Sequence, residues 1–399
     1  MHHHTRAMMA VLFALLPGCT AQPPQPAPAA DQPVSLDATL QPYLARYDLP
    51  ALAAAVAQTG KIIAAGAVGT RAAGAHIAVT LNDRFHIGSD TKAMTSLVAA
   101  MLVEEGQLRW DSTVGEVFPE LVGQMDPGLR QVTLVQLLSH TSGIPSDNEA
   151  FGKLLDQSLT QDGNLNDLRY WLVTQWCKQP LQSKPGTTFA YSNMGYTLVG
   201  VMLERVSGKT WEQLMQTRVF DPLNLQTAGF GPQASLGKID APLGHERHDG
   251  TLKPMLAGPN GDNPLIIGPA GTVHLSVLDF ATWAAWNAGE GRRGPALVHP
   301  DTLHKLHTPV ISMPPRPNAA PGTPSHGAYG LGWGEVTFDW SPEPFLYHGG
   351  SNEKNLAYIL LQPRHDFAMV LMTNVSGPQA DQALTALVEE LYRRFGSAH

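Results

Sequence analysis

Short apolar runs of strand character stand at both ends of this chain, and helical patterns fill the middle. That distribution constrains the fold more than any other feature. Residues 51–57 and 62–68 are two apolar runs separated by Thr59-Gly60-Lys61, a hairpin signal. Far along the chain, residues 329–336, 345–347, 356–361 and 367–373 read as strands, the last two joined by Gln362-Pro363-Arg364-His365-Asp366. Helix patterns lie between and beyond them. Ser35 can cap a helix carrying Leu36, Leu40, Leu44 and Tyr47 on one face, and Leu97, Met101 and Leu102 continue another to Gly106. A last amphipathic helix carries Leu384, Leu387, Val388, Leu391 and Phe395. Two strand-rich ends bury their faces together or not at all. The predicted class is therefore α/β (α+β): an antiparallel sheet built from both chain ends, flanked by helices, with an inserted mostly helical lobe. The α/β lobe is expected over about 35–90 plus 270–399 and the helical lobe over about 91–269, with a site in the cleft between them.

The N-terminus reads as processing signal rather than fold. Arg6 precedes an apolar run over residues 8–16, too short to span a bilayer and suited to a signal-peptide core. Leu16-Pro17-Gly18-Cys19 resembles a bacterial lipoprotein cleavage box, in which Cys19 becomes the lipidated first residue. Residues 1–19 are thus expected to be a signal peptide and 20–34 a Pro-rich tether. The expected location is periplasmic, with a membrane reached through the lipid anchor alone. The remaining cysteine, Cys177, lies in an apolar setting and reads as a buried small hydrophobe. With 399 residues, 15% charged and a formal charge of −8, the chain shows no basic patch, so no nucleic-acid partner is expected.

Chemistry is concentrated in Phe85-His86-Ile87-Gly88-Ser89-Asp90-Thr91-Lys92, which ends an extended segment and opens a long apolar helix. Ser89 and Lys92 are three apart and share a face of the first turn. A desolvated Lys92 would lose its proton more readily and could accept that of Ser89. The Ser89 N–H could then serve an oxyanion. The Ser-x-x-Lys spacing recurs at Ser235/Lys238 and Ser351/Lys354, but only the first pair stands at a strand-to-helix junction. A helix cap with a solvated lysine is the competing reading. A proton relay is also needed, and Ser146-Asp147-Asn148 and Tyr191-Ser192-Asn193 compete for it on residue type. A Tyr191 relay would need its pKa lowered, which a neighbouring Lys⁺ would do. Of three His-x-Gly sequences, His348-Gly349-Gly350 alone follows a strand and precedes another. Its glycines would admit a substrate backbone along the sheet edge, and the Ser351 N–H would give a second oxyanion donor.

Gly88-Ser89-Asp90-Thr91-Lys92, Leu138-Ser139-His140-Thr141-Ser142-Gly143-Ile144-Pro145, Lys184-Pro185-Gly186, Tyr191-Ser192-Asn193, Pro269-Ala270-Gly271, Tyr329-Gly330-Leu331-Gly332-Trp333 and His348-Gly349-Gly350-Ser351 follow one another along the chain. This ordered set, over roughly residues 36–395, resembles the serine beta-lactamase-like family, which includes class C beta-lactamases, D-aminopeptidases, DD-peptidases and family VIII esterases. The resemblance implies a beta-lactamase/transpeptidase-like fold and a serine hydrolase that works through an acyl-enzyme without a cofactor. It implies Ser89 as the acylated nucleophile, Lys92 as its activating partner and Tyr191 as general base and acid. Asn193, His348, Gly349 and Gly350 would bind substrate. It leaves Ser146-Asp147-Asn148 in a variable loop with no direct role. His348-Gly349-Gly350 stands where class C beta-lactamases carry Lys-Thr-Gly. Bulky polar Asn352, Glu353, Lys354 and Asn355 follow it, expected to narrow the cleft or to bind a charged group. Both departures favour an ester, D-amino-acid amide or peptidoglycan-type substrate. A weak beta-lactamase, or a penicillin-binding sensor acylated without turnover, is the alternative. His245-Glu246-Arg247-His248 lacks the spacing of a zinc-protease motif, and His304/His307 have no carboxylate or cysteine beside them in sequence, so no metal is expected.

Overall fold

The computed structural model describes residues 1–2, 32–258, 261–315, 322–324 and 326–396. The expected signal peptide, Cys19 and nearly all of the tether lie outside the described residues. In chain order the strands are β1 (Val34–Ser35), β2 (Ala51–Gln58), β3 (Lys61–Gly69), β4 (Arg84–His86), β5 (Gly229–Phe230), β6 (Gly244–His248), β7 (Thr251–Met255), β8 (Val273–Ser276), β9 (Ile311–Met313), β10 (Gly327–Tyr329), β11 (Gly334–Val336), β12 (Phe345–Ser351), β13 (Leu356–Gln362) and β14 (Phe367–Thr373). Nine of them form one sheet in the order β1-β3-β2-β14-β13-β12-β11-β10-β9. The sheet joins both chain ends as expected: β14 pairs antiparallel with β2, Val370 opposite Ala55. It is mixed rather than wholly antiparallel, because the two-residue β1 runs parallel to β3.

Both central strands are buried on both faces, and their period-two alternation divides two cores. Ala51, Ala53, Ala55 and Ala57 with Ala368, Val370 and Met372 face one core, on the side of the helices Thr91–Glu104 and Val277–Ala288. Leu52, Ala54 and Val56 with Phe367, Met369 and Leu371 face the other, covered by the helices Asp37–Tyr47 and Pro378–Phe395. The helix Thr91–Glu104 is buried all round through Leu102. It is the central rod on which the site is mounted. Cys177 is buried beside the helix Leu165–Trp176, as its apolar setting implied.

The fold departs from the sequence reading in three further places. The run at 329–336 is two short strands, β10 and β11, broken at Gly330–Trp333 where Gly332 takes φ +87°. The segment 226–268, placed in the expected helical lobe, contains the β6–β7 hairpin turned by Asp249 and Gly250, both at positive φ. A separate three-stranded sheet, β4-β8-β5, holds the strand that delivers Ser89. These strands are two to four residues long, too short to show a period in the sequence.

Candidate active site

Ser89 lies in a 3₁₀ turn, Gly88–Asp90, between β4 and the helix Thr91–Glu104. Lys92 is completely buried one turn on. Its Nζ lies 2.6 Å from the Ala270 carbonyl, 2.7 Å from Asn193 Oδ1 and 2.9 Å from Ser89 Oγ. The first two partners can only accept. A neutral Lys92 has two N–H donors for them, and its lone pair is left to face the one partner with a proton to give, the Ser89 hydroxyl. Burial lowers the Lys92 pKa to about 7, with the Asp147 and Asp90 charges acting in opposition.

The Tyr191-Ser192-Asn193 segment enters from the start of the helix Asn193–Ser207, capped by Ser192 Oγ on the Gly195 N–H at 3.1 Å. His140, buried and at φ +57°, fixes its position. The Ala190 N–H donates to the His140 carbonyl at 2.8 Å, and the Ser192 N–H donates to His140 Nδ1 at 3.1 Å. The imidazole packs against the Tyr191 ring with centroids 4.2 Å apart. The Tyr191 hydroxyl is hydrogen-bonded to Ser89, and Lys92 Nζ sits 4.7 Å from its ring centroid. Burial raises the Tyr191 pKa far above that of a free phenol. This corrects the expected electrostatics: instead of a Lys⁺ depressing the tyrosine pKa, burial lowers that of Lys92 and raises that of Tyr191, which stays a neutral phenol.

The third wall is the end of β12. A Cβ on Gly350 would lie 1.8 Å from the Ile87 carbonyl and 2.8 Å from the Ser89 nitrogen. One on Gly88, at φ +50°, would lie 2.3 Å from the Ser351 nitrogen. Both glycines thus serve backbone against backbone, bringing the turn at Ser89 into contact with the strand end at Ser351. His348 is buried; the Tyr329 hydroxyl donates to its Nε2 at 2.9 Å and its Nδ1–H donates to the Gly349 carbonyl at 3.0 Å. Burial and the nearby Lys92 charge bring its pKa down to about 3, so His348 is neutral near pH 7. Asp90, whose buried carboxyl lies 3.5 Å from His348 Nδ1, has its pKa raised well above the usual carboxylate value by burial, with the Lys92 charge opposing that shift.

Two features escaped the sequence reading. Asp147, set aside with its loop, accepts from the Asn193 side-chain amide at 2.6 Å and from its backbone N–H at 3.3 Å. The neighbouring Asn148 only caps the helix Glu149–Ser158. The polar run after β12 does not line the cleft as a unit. Asn352, Lys354 and Asn355 are buried: Asn352 Nδ2 donates to Asp262 Oδ1 at 2.7 Å, Lys354 reaches Glu246 at 3.3 Å, and Gln233 donates to Asn355 at 2.9 Å. Asp262 Oδ1 also faces buried His86 Nε2 at 3.1 Å, so one carboxyl ties the strand before Ser89 to the turn after Ser351. Beyond Tyr191 and His348 opens a cavity of about 360 Å³, walled by aromatic and aliphatic side chains that include Phe189, Tyr329, Tyr347 and Tyr358. Among the described residues no group of three or more His, Cys, Asp or Glu is placed to hold a metal ion.

The chain is similar in sequence and fold to known proteins. The Staphylococcus aureus protein flp is 25% identical over 362 residues; the match takes in 90% of this chain and 66% of that protein, so the chain spans just under two thirds of its length. Penicillin-binding protein 4 of Amycolatopsis lactamdurans is 28% identical over 80% of this chain and 78% of its own. Among solved structures, the octameric penicillin-binding protein homologue from Pyrococcus abyssi superimposes with a TM-score of 0.70 at 25% identity, covering 89% of this chain and 76% of that one. A D-stereospecific amidohydrolase from Streptomyces sp. gives 0.67 at 21% identity over 90% and 99%, a likeness of fold. The beta-lactamase family model matches residues 36–393, and the chain belongs to the beta-lactamase family.

Proposed function

We propose that this protein is a serine hydrolase that cleaves an ester or amide through an acyl-enzyme on Ser89. The observation that carries the reading is the coordination of Lys92: two pure acceptors and one hydroxyl around a buried amine whose pKa is about 7. Lys92 takes the Ser89 proton as Oγ bonds to the substrate carbonyl carbon and the carbonyl π electrons move to oxygen. The N–H groups of Ser89 and Ser351 hold that oxyanion. The proton then passes from Lys92 to the leaving group through the Tyr191 phenol, which donates one proton while receiving another and never has to ionise. Water deacylates by the same steps in reverse. Asn193 keeps Lys92 aimed at Ser89, and the neutral His348 orders Tyr329 and the cavity wall rather than binding a carboxylate. A cleaved leader with lipidation at Cys19 would place the enzyme outside the cytoplasm, which membrane fractionation of the wild type and of Cys19→Ala would show. The test of the chemistry is a panel of p-nitrophenyl esters, a D-amino-acid anilide and nitrocefin, run on wild type and Ser89→Ala. Turnover lost with Ser89 supports the reading. Turnover unchanged in Ser89→Ala overturns it, and a single burst without steady state marks a sensor instead.

A further inference from the structure

We infer that Asp262 is a positioning residue for the oxyanion hole: it fixes the spacing of the Ser89 and Ser351 N–H groups by holding the segments behind both. The inference rests on the Ser89 acyl-enzyme reading. The two donors stand on separate elements, the 3₁₀ turn Gly88–Asp90 and the end of β12. Gly88 and Gly350 let these backbones touch, but among the described residues no backbone hydrogen bond joins them. His348 and Asp90 face each other across the contact at 3.5 Å without a hydrogen bond. Contact without a directional bond sets how near the two donors come and leaves their offset to be fixed from outside.

Asp262 Oδ1 does this from a side chain only 3% exposed. On one flank, buried Asn352 follows Ser351 and donates through Nδ2 to Asp262 Oδ1 at 2.7 Å. Asn352 Oδ1 in turn accepts from the Lys354 N–H at 3.2 Å and from Asn355 Nδ2 at 3.0 Å, which braces a turn whose Glu353 stands at φ +68°. On the other flank, the Gly88 N–H donates to Nδ1 of fully buried His86 at 3.0 Å. Burial lowers the His86 pKa, so the ring is neutral and, with Nδ1 accepting, carries its proton on Nε2. That nitrogen faces Asp262 Oδ1 at 3.1 Å. The loop itself is pinned. The Asn263 N–H donates to the same Oδ1 at 2.7 Å, and Asn263 Nδ2 donates at 2.8 Å to the carbonyl of Gly271, which packs against Gly88. One oxygen thus anchors the segment before Ser89 and the turn after Ser351 while standing outside the proton path.

The test is the rate at which a neutral fluorophosphonate labels Ser89, resolved into kinact and KI and counted per labelled site, so that loss of folded protein drops out. Fluoride leaves as Ser89 Oγ bonds to phosphorus, so the step needs no proton on the leaving group, and the phosphoryl oxygen calls on the two N–H donors. Asp262→Ala should lower kinact about tenfold to a hundredfold, up to the cost of a misplaced or lost oxyanion donor, and leave KI within about twofold. Asp262→Asn keeps an oxygen for Asn352 and should lose less. Asp262→Ala/Asn352→Ala should label within about twofold of Asp262→Ala, because Asn352 acts through the bond already removed. The pH midpoint should stay in place, since the carboxylates acting on Lys92 are Asp147 and Asp90. A per-site kinact within about twofold of wild type, a loss carried by KI, a multiplied loss in the double variant or a moved midpoint overturns the inference and leaves the nucleophile assignment standing. If Asp262→Ala does not fold, Asp262→Asn and Asn352→Ala are read the same way: a fall in kinact in both supports the inference, and a wild-type kinact in either overturns it. Equal labelling of wild type and Ser89→Ala overturns the functional reading itself.

Discussion

The pH dependence of Ser89 acylation follows from the amine beside it. With a Lys92 pKa of about 7, the neutral, proton-accepting form is about 9% of the enzyme at pH 6, half at pH 7 and about 91% at pH 8. Acylation by a neutral fluorophosphonate should therefore rise about tenfold between pH 6 and pH 8 and then level. Asp147 is the largest charge effect holding that pKa up, so Asp147→Asn should move the midpoint to lower pH. His348 adds no limb, because its pKa of about 3 leaves it neutral across the range. The assay is the second-order labelling rate from roughly pH 5.5 to 10.5 in buffers of constant ionic strength. A flat profile would remove Lys92 as base. A rise beginning only above pH 9 would return the role to an ionising Tyr191, and a midpoint raised by Asp147→Asn would contradict the electrostatics.

Three further outcomes follow. Tyr191→Phe should keep its thermal midpoint yet lose at least about a hundredfold in turnover, since proton delivery to the leaving group is removed; wild-type rates would move the relay elsewhere. Asp262→Ala strips Asn352 of its acceptor at 2.7 Å and leaves buried His86 facing nothing, so chemical denaturation should show a loss of about 2–4 kcal/mol, with Asp262→Asn losing less. Buried His307, with its pKa lowered to about 3 by burial, stays neutral in the fold while the unfolded chain takes up a proton below about 6.5. The unfolded state then binds more protons, so stability falls as pH falls. From pH 6.5 to 5.0 this one residue contributes ~2 kcal/mol of loss, and urea titrations should show His307→Asn sparing about that much.

The sheet was legible because β2, β13 and β14 are apolar runs of seven or eight residues bounded by turn residues. The strand delivering Ser89 was seen as extended, but its partners β5 and β8 were not, at two and four residues. Ser89, Lys92, Tyr191, Asn193 and His348 were all named from their motifs; Lys92 and Tyr191 meet the Ser89 hydroxyl, Asn193 meets Lys92, and the His348 ring lies 6.5 Å from that of Tyr191. Their protonation was not legible, because desolvation depends on what the fold stacks over a group. The lowered Lys92 pKa agrees with the desolvation argument, but Tyr191 is raised by burial where lowering was expected, and burial brings His348 down to about 3. Asp147 and Asp262 were missed for a related reason. Each is a lone carboxyl in a loop, and its meaning comes from a partner 46 or 90 residues away in sequence.

The most direct measurement is peptide mapping by mass spectrometry of the purified protein after brief exposure to a fluorophosphonate and, separately, to a slowly deacylating ester. The account predicts one covalent adduct, on the peptide carrying Ser89, formed faster at pH 8 than at pH 6 and absent from Ser89→Ala. An adduct on another residue, or hydrolysis that continues while Ser89 stays unmodified, would contradict it.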